Sequence, residues 1–241
     1  MLLNLGCGTK TSNLKDAVNI DWSIFLRLKK ISIIQPIIPL IFKGERLKNY
    51  KSISNDILVH NLKKGIPFKD NSVDAIFHSH VVEHIDRDYI NIFINESYRV
   101  LKPGGILRIV CPDLHYLVEE YLSSYEKSKH DKDYAQNHDR YVSEILEQCV
   151  RKEANGSSNQ KPFRRKLENF ILGSARDRGE THQWMYDDVN LKLILEESCF
   201  KNIKKMIFNK SNIENWEAHK LESNEDGSEF KPHSLYLEAI K

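Results

Sequence analysis

Short apolar runs punctuate the chain and stop at small or polar residues. Met1 to Leu5, apolar but for Asn4, ends in Gly6-Cys7-Gly8, the pattern of a buried strand arrested by a tight turn. Ala17 to Ile20 repeats the pattern and closes on Asp21. Further strands are expected over Asp56 to Leu62, Val73 to Ser79 and Ile106 to Cys111, with Ile203 to Phe208 and Leu235 to Ile240 as closing strands. Helical spacing marks Asp86 to Leu101, where Pro103-Gly104-Gly105 reads as the stop. It marks Asp187 to Ser198 too, with Leu191, Ile194 and Leu195 on one side and Asp187 or Asp188 as cap.

Strands alternating with helices predict an α/β domain on a mostly parallel seven-stranded sheet with helices on both faces. A single domain over 1–241 is expected, carrying an apolar, lid-like insertion at 24–52 and a helical insertion after the fifth strand, at 113–185. The first crossover, TKTSNLKD, is too short for a helix with its two loops. Within the first insertion, Ile31 to Phe42 is almost wholly apolar between basic flanks. It falls short of the roughly 20 residues needed to span a bilayer, and Pro36 and Pro39 interrupt it. Two readings stand for it: a buried lid over the sheet, or a patch resting on a membrane surface.

Composition narrows the class. Lys+Arg 36 against Asp+Glu 34 leaves a net charge of +2, with no global pull toward nucleic acid. Cys7, Cys111, Cys149 and Cys199 form no C-x-x-C pair, which fits a reducing cytoplasm rather than a disulfide framework. No secretory signal is expected from MLLNLGCG. The cluster Arg164-Arg165-Lys166 reads as a solvated helix face.

Ligands of open α/β sheets sit beyond the carboxyl ends of the strands. Four strand ends therefore matter together: the glycine turn at Gly6 and Gly8, the acid Asp21, the amide Asn61 beside Leu62, and Ser79-His80. Glycines let the backbone approach a ligand, and a carboxylate after the second strand can accept both hydroxyls of a ribose. The segments LLNLGCGT, VNID, NLKKGIPFKDNSVDAIFHSHVVEHI and YRVLKPGGILRIVCPD resemble, in order, the signatures of class I S-adenosylmethionine-dependent methyltransferases. They are similar above all to small bacterial members associated with surface-polysaccharide synthesis.

That resemblance implies a Rossmann-like fold and S-adenosylmethionine as cofactor. It places Gly6, Cys7 and Gly8 along the methionine moiety, with Asn4 beneath them. Asp21 would hold the ribose, Trp22 would lie close to the adenine, Asn61 and Leu62 at the adenine edge, and Ser79 and His80 near the sulfonium. Asn4 and Asn61 stand where many relatives have an acid, keeping hydrogen bonds but losing charge. A nicotinamide dehydrogenase is the rival on this fold, but Thr11 replaces the third glycine of G-x-G-x-x-G.

A hydroxyl acceptor needs a base. Candidates are His80, His84, Asp113, His115 and His182. His182, in RGETHQWMYDD, is favoured as base or substrate contact and Asp113 comes second, with a core or capping role the plainer reading of each. No metal site is expected, because His80, Glu83 and His84 lack the H-E-x-x-H order. The resemblance implies O-methylation of a sugar or glycan intermediate, with the 113–185 insertion on the substrate side. N-methylation of a small metabolite and a non-catalytic cofactor-binding partner subunit remain as alternatives.

Overall fold

The computed structural model describes residues 1–149 and 181–241. The basic cluster at 164–166 and the loop around 155–162 lie outside them. Seven strands form one sheet in the order β3-β2-β1-β4-β5-β7-β6. They are β1 (Leu2–Leu5), β2 (Ala17–Asp21), β3 (Leu58–Val59), β4 (Val73–Ser79), β5 (Leu101–Pro112), β6 (Lys201–Lys205) and β7 (Ser234–Ile240). β1 to β5 pair in parallel, whereas β7 runs antiparallel between β5 and β6. The sheet is therefore mixed.

Along the chain, α1 (Ile24–Lys29), α2 (Ile38–Ile41) and α3 (Gly44–Ser52) follow β2, and α4 (Ile90–Val100) joins β4 to β5. Next come α5 (Leu114–Ser128), α6 (Lys132–Asn137), α7 (Asp139–Gln148), α8 (Asp188–Glu197) and the one-turn α9 (Trp216–His219). The helix expected from Asp86 starts only at Ile90, after a 3₁₀ turn at Val82–His84. Pro103, Gly104 and Gly105 do not cap it. They form the irregular start of β5, where the register against β4 shifts. α8 begins as its sequence predicts: Asp187 accepts from the Asn190 amide, and the Asn190 side chain accepts from the Asp187 N–H, a reciprocal capping box.

Alternation along the strands sorts the core into two layers. Leu3, Leu5, Ile76, Leu107, Ile109 and Leu237 bury one face of the sheet against Ile90, Phe93 and Ile94 of α4 and Leu191, Ile194 and Leu195 of α8. The other face, Leu2, Ala75, Phe77, Val110 and Tyr236, packs on Ile213, Trp216 and Leu221. These belong to the connection between β6 and β7. An irregular segment and the single turn α9 thus cover that layer, instead of the expected row of helices.

Arg108 fastens that segment. Its guanidinium is wholly buried and donates to Glu222 and Glu238 and to the carbonyls of Ile207 and Lys210. The Trp216 ring lies 4.7 Å below it. Burial, with Glu238 close by, pushes the Glu222 carboxyl up to about 7 against the pull of Arg108. One cation facing two carboxylates leaves the second poorly neutralised.

His78, on the helical layer, is also fully buried, edge-on to Phe93, and both ring nitrogens lack a hydrogen-bond partner among the described residues. Burial lowers it to about 4 from 6.5, despite the opposing charge of Glu83. The unfolded chain takes up this proton first, so the cost is absent above pH 6.5 and grows until about pH 4. His78→Phe should remove about 3 kcal/mol of acid sensitivity within that window, a shift of about two and a half units at 1.36 kcal/mol each. Urea unfolding at a series of pH values checks this; an unchanged slope between the two variants would refute it.

Candidate functional site

The first crossover has no helix. Asn4 holds its loop instead, donating to the Lys10 carbonyl and to Asn19 Oδ1, each at 2.9 Å. Asn19 Oδ1 also accepts from the Ser12 amide, and Ser12 Oγ meets Nδ1 of His219 at 2.8 Å. Lys10 Nζ reaches the Ser223 carbonyl at 2.6 Å. Asn4, expected against the cofactor, thus has its amide engaged in the loop beneath the glycine turn.

Above it, Gly6 and Gly8 both adopt positive φ, +64° and +53°. A side chain at Gly6 would stand 2.6 Å from Val81 Cγ2, so the turn after β1 needs glycine to pack on the turn after β4. Nothing lies within 4 Å of where a Gly8 side chain would be. The Gly8 amide donates to Asp21 Oδ2 at 2.9 Å and the Ser23 amide to Oδ1 at 2.6 Å. A carboxylate has about four acceptor positions, so two remain for ligand hydroxyls. Burial raises the Cys7 thiol, with Asp21 adding to the effect, so it is uncharged at neutral pH.

Trp22 is 41% exposed, with the Arg27 guanidinium 4.5 Å over one face. Asn61 caps the 3₁₀ turn that begins at Leu62, accepting from the Lys63 amide. The His60 amide ties this loop to the Asp21 carbonyl. On the other side, His80 follows Ser79 at the end of β4 with φ +55°, a left-handed conformation uncommon outside glycine. Its Nε2 faces Ser234 Oγ at 3.1 Å and its Nδ1 faces Glu83 Oε1 at 3.2 Å. Gly6, Gly8, Asp21 and His80 therefore stand at the carboxyl ends of three adjacent strands, with Asn61 and Leu62 on the fourth.

The segment 181–186 runs alongside. The Gln183 and Trp184 amides donate to the Glu83 carbonyl, and the Leu114 amide donates to the Tyr186 carbonyl. This lacing brings His182 edge-on to His84, ring centres 4.8 Å apart. Asp113 has a different task. Its Oδ1 accepts the amides of His115 and Tyr116 and caps α5, while Lys205 Nζ stands 4.0 Å from Oδ2. His115 sits on the exposed side of α5, paired with Glu119. Glu83 is the participant that pattern reading weighed only as a metal ligand and set aside. It is buried beside three histidines, and a lone acid inside the apolar turn VVEHI was its only signal.

Residues 3–109 match the model of a family described as a methyltransferase domain. No curated protein matches the chain. Among solved structures, an Archaeoglobus fulgidus S-adenosylmethionine-dependent methyltransferase is 15% identical, with 100% of this chain and 85% of that one covered and a TM-score of 0.43. A Methanosarcina mazei methyltransferase of the same type is 14% identical, with 100% and 91% covered and a TM-score of 0.44. One from Thermotoga maritima, described as a possible histamine N-methyltransferase, is 14% identical, with 100% and 81% covered and a TM-score of 0.43.

The matched segment contains the glycine turn, Asp21, the β3 loop and the β4 turn, and it is a methyltransferase domain. That match supports a methyltransferase that uses S-adenosylmethionine. The residues fit that cofactor: an open backbone cradle at Gly8, free lone pairs on Asp21, and a solvent-facing indole at Trp22 beside it. When bound, the cofactor supplies an electrophilic methyl group on a sulfonium centre. The chain's own work is to bind and orient it and to align an acceptor lone pair behind the methyl carbon.

Proposed function

We propose that the acceptor is a hydroxyl of a sugar or glycan intermediate, presented at the 181–186 segment. The observation that supports this is the half-open indole of Trp184, beside the turn that carries His80, Glu83 and His84. The C–H face of a sugar ring stacks on an indole, while its hydroxyls reach hydrogen-bonding groups at the ring edge. Proton acceptors are at hand: His182 holds its Nδ1 against the Gln148 carbonyl at 3.1 Å, which leaves the other ring nitrogen as a lone pair in the neutral form.

The insertion after β2 bears on where the acceptor comes from. Leu26, Ile38 and Tyr50 are buried there, but Ile33 is 84% and Leu40 75% exposed. Lys29, Lys30 and Lys43 flank them. An exposed apolar tip with a basic rim suits contact with an anionic lipid surface and hence a lipid-linked glycan. Among the described residues no helix is long and apolar enough to cross a membrane.

One experiment addresses both points. Methyl-labelled cofactor is offered with a lipid-linked oligosaccharide in anionic vesicles, and with the same glycan freed of its lipid. Label should enter both, faster in the vesicles, and I33D/L40D should abolish only that difference. Label in neither glycan would overturn the acceptor assignment; equal rates with and without lipid would overturn the membrane contact.

A further inference from the structure

We infer that Glu83, His84 and His182 form a binding site for one divalent transition-metal ion. One ligand-type atom from each lies within 4.8 Å of the others. His84 Nε2 stands 4.0 Å from Glu83 Oε1. The inference reverses the expectation of no metal drawn from the local sequence, which sees Glu83-His84 but not the third member far along the chain.

Two observations converge. Both oxygens of the buried Glu83 carboxylate lack a hydrogen-bond partner among the described residues. His80 approaches Oε1 at 3.2 Å without the alignment of a hydrogen bond. Second, both imidazoles have Nδ1 against a backbone carbonyl, His84 on Thr181 and His182 on Gln148. A carbonyl can only accept, so each Nδ1 carries the proton and each Nε2 presents a lone pair. This orienting contact is the one that metal-binding histidines make with their second nitrogen.

Electron pairs thus face a buried anion with no described proton donor in line. A cation resolves that conflict. Two imidazoles and one carboxylate suit a first-row transition ion such as zinc, cobalt or manganese. Bonds of about 2.0–2.1 Å in a tetrahedron place ligand atoms about 3.4 Å apart, so modest side-chain rotation closes the cluster. Three protein ligands leave a position open. If the acceptor is a hydroxyl, as proposed above, that position orients and polarises it, and His182 serves as a ligand rather than as the base. The metal site itself does not rest on that reading.

The test uses the whole chain, stripped with a chelator and titrated with cobalt(II), whose visible absorption reports coordination number. One equivalent should give the bands of a four- or five-coordinate ion, displaced by zinc. Glu83→Gln and His182→Asn should each weaken uptake roughly tenfold or more, with unchanged circular dichroism and unchanged binding of S-adenosylhomocysteine. His182 is only partly buried, so its variant guards against a fold defect at Glu83. Folded parent chain without visible bands, or variants that bind cobalt like the parent, would overturn the site. Failure to bind S-adenosylhomocysteine with cobalt bands intact would instead count against the methyltransferase pocket.

Discussion

Arg108→Ala should destabilise the protein by about 3–5 kcal/mol, the range for removing one partner of a buried ion pair. The size follows from what is left behind. Glu222 and Glu238 are both buried, and Arg108 is the cation between them. Their own pairing would be repulsive, and water does not reach them. Ser211 and Asn212 still donate to Glu238 in the variant, but Glu222 loses its guanidinium contacts. The carbonyls of Ile207 and Lys210 lose their donor as well, so the segment over the second sheet face loosens. Denaturant titration of parent and variant at neutral pH measures the change. A loss below about 1 kcal/mol, the scale of an exposed pair, would show that the network contributes little.

Asp21→Ala is expected to weaken binding of S-adenosylhomocysteine roughly 10- to 100-fold, since hydrogen bonds to a charged group contribute about 1.5–3 kcal/mol. Two effects combine. The carboxylate's free lone pairs no longer meet the ribose hydroxyls, and the Gly8 and Ser23 amides lose the acceptor that shapes the turn. Asp21→Asn separates them, because its side-chain oxygen can satisfy one amide while the charge is gone. Calorimetric titration gives both affinities. An Asp21→Ala protein that stays folded and binds within threefold of the parent, well under 1 kcal/mol, would remove Asp21 from the pocket.

The central strands were legible because burial on both faces writes a continuous apolar run. Thus β1, β2, β4 and β7 fall within a residue or two of their predicted bounds. The edges were not. β3 shrinks to Leu58–Val59, where Leu58 is exposed and pairing is one-sided. β6 is Lys201–Lys205, a largely polar edge whose ladder partners, not its composition, make it a strand. Helix starts at Asp187 and Asp113 could be read from capping chemistry, whereas α4 was drawn too early because Arg87 to Tyr89 form a turn that leads into it. At the site, the strand-end residues were readable from topology. Arg108 looked like an ordinary polar residue in ILRIVC, and the meeting of Glu83 with His182 depends on amide lacing that no local pattern encodes.

The helix missing from the first crossover has a consequence for how the enzyme comes into being. Its glycine turn is braced by Ser223 and His219, 213 and 207 residues further along the chain from Lys10 and Ser12. A nascent chain that has released only residues 1–110 from the ribosome already holds every strand-end group named for the adenosyl moiety. It has only the Asn4 and Asn19 hydrogen bonds to steady the loop that presents them. Full cofactor competence should therefore arrive only once Ser223 has emerged, rather than with the segment that contains the contacts.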